Sequence, residues 1–155
     1  MRKAKQFVLL LFVCMFAVGM YAADNPNMGT WKLNEAKSKF PAGATKNNTV
    51  VYSADGDNIK VTTDGVDGKN QPVKTEWVGK FDGKDYPVTG GENGAMRSYK
   101  VVNERKMDMT TKVGDKVTNH GTIEVAKDGK SRTVDIEFTN ADGKKMKNKA
   151  VYDKE

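Results

Sequence analysis

From residue 49 onward, apolar and polar side chains alternate in short runs separated by Asp-Gly dipeptides. A period of two sends successive side chains to opposite faces of a β-strand. Along residues 73–81 one face collects Val73, Thr75, Trp77, Gly79 and Phe81, and the other takes Lys74, Glu76 and Lys80. The same alternation marks strands at 49–54, 58–63, 96–103, 105–113, 116–125, 132–139 and 145–153. An earlier strand, 29–33, sets Trp31 and Leu33 on one face and Thr30 and Lys32 on the other. Residues 86–88 predict a short edge strand, because Pro87 cannot donate to a central ladder. Asp-Gly turns at 55–56, 64–65, 67–68, 82–83, 128–129 and 142–143 supply the tight connections. The one helical signal is a short turn that Asn34 caps, running through Phe40 to a stop at Pro41.

Short strands spaced by such turns predict an all-β fold, either a sandwich or an antiparallel up-and-down β-barrel of about eight to ten strands. The last strand favours the barrel. Lys145, Lys147 and Lys149 alternate with Met146, Asn148 and Ala150, giving a solvated face that resists edge-to-edge pairing. Pairing of the first strand with the last would remove both edges altogether.

The first residues belong to a different pattern. Arg2, Lys3 and Lys5 precede a nearly unbroken apolar run over 7–18, and small residues follow at Gly19, Ala22 and Ala23. This predicts a secretory signal over 1–22 and a single barrel domain over 23–155, exported to the periplasm or beyond. Removing the signal changes the charge picture. It carries three of the 26 basic residues, leaving 23 against 20 acidic ones, a net +3. So small an excess gives no footing for a nucleic-acid partner. The only cysteine, Cys14, lies within the signal, so the exported chain has no disulfide, thiol or cysteine-ligated metal. No stable membrane span is expected once the signal is cleaved.

Gly29-Thr30-Trp31 opening the first strand resembles the G-x-W signature of the lipocalins. The longer Gly29-Thr30-Trp31-Lys32-Leu33, with Val151-Tyr152-Asp153-Lys154 at the other end, is similar to the opening and closing strands of the fatty-acid-binding proteins. The chain also resembles a group of small exported bacterial proteins in residues 29–34, 36–40, 81–90 and 150–154, a likeness that implies no activity. The lipocalin-like (calycin-like) resemblance implies a closed barrel around an apolar ligand, with an Arg from a late strand packed over the signature Trp. Arg132 is the candidate for that place. Two departures limit the likeness. Fatty-acid-binding proteins hold the ligand carboxylate with an Arg two residues before the final Tyr, where this chain has Ala150. Their helical lid is also absent, since only residues 34–48 separate the first two strands.

Strand parity gives an expected interior of Trp31, Leu33, Val61, Trp77, Phe81, Tyr99, Val101, Met107, Met109, Ile123, Val125, Val134, Ile136, Phe138 and Tyr152. All three arginines beyond the signal share parity with apolar neighbours. Arg97 goes with Tyr99, Arg105 with Met107 and Met109, and Arg132 with Val134 and Ile136. Arg stays charged and offers a planar fork to carboxylate or phosphate, so inward arginines suit an anionic head group. The bland alternative is that each snorkels to a rim or packs over Trp31. The candidate ligand-binding residues are therefore Trp77, Arg97, Tyr99, Arg105, Met107, Met109, Arg132 and Tyr152, and Gly29 and Trp31 are structural.

No catalytic set emerges. His120 is the lone histidine, flanked by Thr118 and Thr122 on its parity, and reads as a solvent-facing strand residue. The Asp-Gly segments lack the ligand spacing and closing Glu of a calcium loop, and no metal or other cofactor is expected. Gly90-Gly91-Glu92-Asn93-Gly94 reads as a mobile loop, suited either to gate a barrel mouth or to touch a partner. The leading reading is a non-catalytic exported barrel that binds a small apolar or anionic amphiphilic ligand. The alternative is a protein-interaction module of the cell envelope, an accessory or inhibitor with a filled core and a protein partner.

Overall fold

Ten strands, each antiparallel to its neighbour in sequence, make up about two thirds of the computed structural model, which describes residues 25–140 and 142–155. They are β1 (Gly29–Leu33), β2 (Lys46–Asp55), β3 (Asn58–Val66), β4 (Pro72–Gly79), β5 (Tyr86–Thr89), β6 (Ala95–Asn103), β7 (Lys106–Val113), β8 (Lys116–Val125), β9 (Ser131–Thr139) and β10 (Lys145–Lys154). β1 pairs with β10 through Trp31 opposite Lys154 and Leu33 opposite Tyr152, so the sheet closes on itself. The fold is the expected up-and-down barrel, not a sandwich. The expected secretory signal lies outside the described residues. Among the described residues, no helix is long and apolar enough to cross a membrane.

Two local expectations need correction. Residues 86–88 do not form an edge, because a closed barrel has none. β5 is inserted between β4 and β6, pairing Trp77 with Val88 on one side and Pro87 with Met96 on the other. A strand of four residues with only two pairs on each side tolerates Pro87, since few ladder bonds are asked of it. The helical segment is also shorter than its sequence suggests, a single 3-10 turn over Glu35–Lys37. Asn34 caps it as expected, its side chain accepting from the Lys37 amide at 3.2 Å. The turn ends before Pro41 because the chain rejoins the sheet. The Ser38 hydroxyl accepts from the Val151 amide at 2.9 Å, and Lys39 exchanges backbone bonds with Lys149.

The barrel is solid at one end. Trp31, Val61, Trp77, Tyr99, Met107, Ile123 and Val125 are the large side chains with almost no exposure. Trp77 stands edge-on to Tyr99 with ring centres 4.8 Å apart, and stacks beside Phe81 at 6.1 Å. Both indoles satisfy their N–H groups on backbone carbonyls, Trp31 on Asn27 at 2.7 Å and Trp77 on Arg97 at 2.9 Å. Such bonds let an indole be buried without leaving a donor unpaired. Gly29 enters β1 at φ +108°, a conformation L side chains avoid, with the Lys154 stem lying alongside. Val101 departs from the expected interior. It sits where the β6–β7 register shifts and is 48% exposed. Val50, Tyr52, Val88, Ala95 and Ala150 join the core without having been expected there.

The outer wall is charged. Lys60 pairs with Glu76 at 2.9 Å, Lys74 with Asp64 at 2.8 Å, and Lys147 with Glu137, all largely exposed. Lys145, Lys147 and Lys149 face solvent, as their alternation indicates. A wall of this chemistry suits water, not hydrocarbon.

Gly121 marks the tightest approach of β8 to β9. A Cβ placed on it would stand 1.9 Å from the Asp135 carbonyl oxygen and 2.9 Å from the Ile136 Cα. Both neighbours are backbone and cannot swing aside. Gly121→Ala is therefore expected to cost about 1–3 kcal/mol of stability, the usual toll of overpacking. Urea unfolding measures it, and an unchanged midpoint would show that the two strands separate freely there.

Candidate functional site

Above the aromatic floor the inward faces of the strands do not meet. They enclose a cavity of about 500 Å³ that opens among the loops at the other end of the barrel. That volume falls within the range of small-molecule sites. Tyr99, Met109, Ile123, Arg132 and Tyr152 line its lower part. Gly91 and Glu92 line it from the β5–β6 loop, where a mouth loop is expected.

Arg132 is the unusual group. It is only 2% exposed, and its guanidinium carbon lies 4.7 Å from the Trp31 ring, 4.8 Å from Tyr52 and 5.0 Å from Tyr152. The packing follows from register. Arg132 faces Tyr152 across β9–β10, and Tyr152 faces Leu33 of β1, two residues from Trp31. Aromatic faces attract a desolvated cation, and the rings hold the guanidinium plane in place. The ring faces accept none of its in-plane hydrogen bonds, although the Tyr52 hydroxyl lies within reach of the guanidinium. The Nε and one terminal nitrogen of Arg132 are buried with no partner.

Nor is the charge neutralised. Among the described residues, every ion pair is made by lysine or histidine, and none by arginine. The neighbouring phenols cannot supply the negative charge. Burial pushes the Tyr152 hydroxyl up to about 12 and the Tyr52 hydroxyl higher still, against the opposing pull of Arg132 itself. Both stay protonated at neutral pH. An unpaired cation in a low-dielectric site is costly, and an anion in the adjoining cavity would relieve that cost.

Of the eight candidate ligand residues, Arg97, Tyr99, Met109, Arg132 and Tyr152 line the cavity, and Trp77, Arg105 and Met107 do not. Trp77 and Met107 are each 1% exposed and fill the floor beneath it. Arg105 precedes β7 in a turn, where strand parity has no meaning, and its Nη1 donates to the Val125 carbonyl at 3.1 Å. Arg97 does reach the cavity, with its Nε donating to the Thr111 hydroxyl at 2.9 Å.

The wall is more polar than the alternation suggests. Asn47, Thr63, Thr75, Thr111, Asn119 and Asn148 all line it. The Thr63 and Thr75 hydroxyls bond each other at 2.7 Å. The carboxamide oxygens of Asn119 and Asn148 are buried with no partner. Their parity was available in the sequence. Asn119 is in step with Ile123 and Val125, and Asn148 with Ala150 and Tyr152.

His120 lies on the outer wall, 4.0 Å from Glu137 and more than half exposed. Among the described residues, no three His, Cys, Asp or Glu side chains come together as a metal site. No family model matches the chain, and a search of curated proteins finds no match to it.

Proposed function

We propose that this protein is an exported, non-catalytic barrel that binds a small anionic amphiphile, seating the anion on Arg132 and the apolar part along the cavity wall. The observation that carries the reading is a 2%-exposed guanidinium with two unpartnered nitrogens beside a cavity of about 500 Å³. Carboxylate matches the planar donor fork of Arg and supplies the missing charge. Val134, Ile136 and Met109 offer the apolar contact. The alternative, a protein-interaction module with a filled core, is less well supported, because the upper barrel is hollow. Export rests on the charged and then apolar first 22 residues.

Decanoate is the first probe. Calorimetric titration is expected to give one site per barrel, with decan-1-ol bound at least about tenfold more weakly, the equivalent of 1.4 kcal/mol. Equal binding of acid and alcohol would remove Arg132 from the reading. Absence of binding by either, together with no small molecule retained in native mass spectra of protein from its own host, would defeat it.

A further inference from the structure

We infer, resting on the ligand-binding reading above, that the cavity takes an amphiphile polar at both ends: a carboxylate at Arg132 and a hydroxyl at Asn148. Simple fatty-acid binding would account for Arg132 alone. The two carboxamides are a separate observation, since each buries an unpartnered oxygen on the same cavity wall.

Register fixes how far apart the two polar levels stand. Asn148 lies opposite Ile136, and Asn119 opposite Phe138, so they flank β9 from its two sides. Ile136 and Phe138 are four and six residues beyond Arg132 on the same inward face of β9. At about 3.3 Å per residue, the levels of Asn148 and Asn119 stand about 13 and 20 Å along β9 from that of Arg132. On β8, β9 and β10 the interval is apolar. Val134 and Ile136 of β9, Ala150 of β10 and Ile123 of β8 occupy it. Along β8–β10 the wall therefore runs from cation through hydrocarbon to hydrogen-bonding amide, while Arg97 and Thr111 line the cavity from β6 and β7 at the Asn119 level.

An extended chain gains about 1.2 Å per bond, so about ten carbons and a terminal hydroxyl reach the nearer level, that of Asn148, and stop short of Asn119. A methyl terminus arriving there would cover the Asn148 amide oxygen without bonding to it, which is unfavourable for a buried acceptor. A hydroxyl both donates and accepts, so it satisfies the Asn148 amide whichever way round that amide is turned. Sites built to bond a hydroxyl reject the analogue lacking it far more strongly than apolar pockets reject an extra methylene. The ligand class is thus an ω-hydroxy carboxylate of medium chain length.

Calorimetric titration of the protein with ω-hydroxydecanoate and decanoate tests this. The hydroxy acid is expected to bind at least about tenfold tighter. The preference should vanish or reverse in an Asn148→Leu variant that still binds decanoate. Equal affinities in the unmodified protein would overturn the second polar end and leave the carboxylate reading standing. A preference that persists undiminished in the variant would also overturn it. Failure of both acids to bind would overturn the two readings together.

Discussion

Arg132→Met is expected to abolish carboxylate binding while leaving the barrel as stable as before, or more so. The two effects have different physical sources. In the free protein Arg132 is a buried cation with no carboxylate beside it and two unpartnered nitrogens. Replacing a buried charge with an apolar side chain of similar volume is often neutral or stabilising. What opposes this is the loss of attraction to three rings, worth about 2 kcal/mol or more for a desolvated cation. A thioether recovers part of that, because sulfur also packs well against aromatics. The terms nearly cancel, and the melting temperature should move little.

Binding has no such compensation. A carboxylate seated on the guanidinium loses a buried charged pair when Met replaces it. Truncating such a pair costs about 2–5 kcal/mol in affinity, more than a tenfold loss even at the low end. Thermal unfolding and calorimetry on the same sample separate the outcomes. An Arg132→Met protein that melts far lower yet binds decanoate normally would make Arg132 a structural pillar only.

Much of the architecture was legible because β-sheet side chains obey a period of two. Strand positions follow from alternation and most connections from the Asp-Gly turns, although Asp64-Gly65 lies within β3, and the lysine row of the last strand favours its pairing with the first over a sandwich. So does the inward direction of Arg97 and Arg132. Parity failed where the chain leaves the ladder, at Arg105 in a turn and at Val101 beside a register shift. It was ambiguous at Val50-Val51-Tyr52, where consecutive apolar residues offer both faces to the core. Register then places Val50 against Trp31 and Tyr52 against Val61, which fixes the buried parity. The carboxamides were missed for a chemical reason. An Asn on an inward parity looks like an interruption of a core, and becomes a site only when closure leaves the upper barrel hollow around it. Which strands leave room between their side chains depends on the number of strands and on the volumes facing one another, and no local pattern carries that sum.

Trp31→Ala is expected to be the most damaging single truncation, at about 3–5 kcal/mol. The indole is fully buried in the floor of a closed barrel, so its removal leaves a void that the surroundings fill only in part. Two further losses add to the cavity. The bond from its N–H to the Asn27 carbonyl, 2.7 Å long, ties the residues preceding β1 to the barrel. The Arg132 guanidinium, 4.7 Å from the ring, loses one of the three faces that hold it. Trp31→Phe keeps most of the volume and an aromatic face but not the N–H, so it should cost clearly less than the alanine variant. Combining Trp31→Phe and Trp31→Ala with Arg132→Met isolates the ring–cation coupling, since contacting residues depart from additivity by about 0.5–3 kcal/mol. Urea unfolding, followed by the fluorescence of the remaining Trp77, reads every variant. A Trp31→Ala protein within about 1 kcal/mol of the parent would mean that the floor repacks. In that case the Trp31 face would not be needed to hold the cation, and the faces of Tyr52 and Tyr152 would suffice.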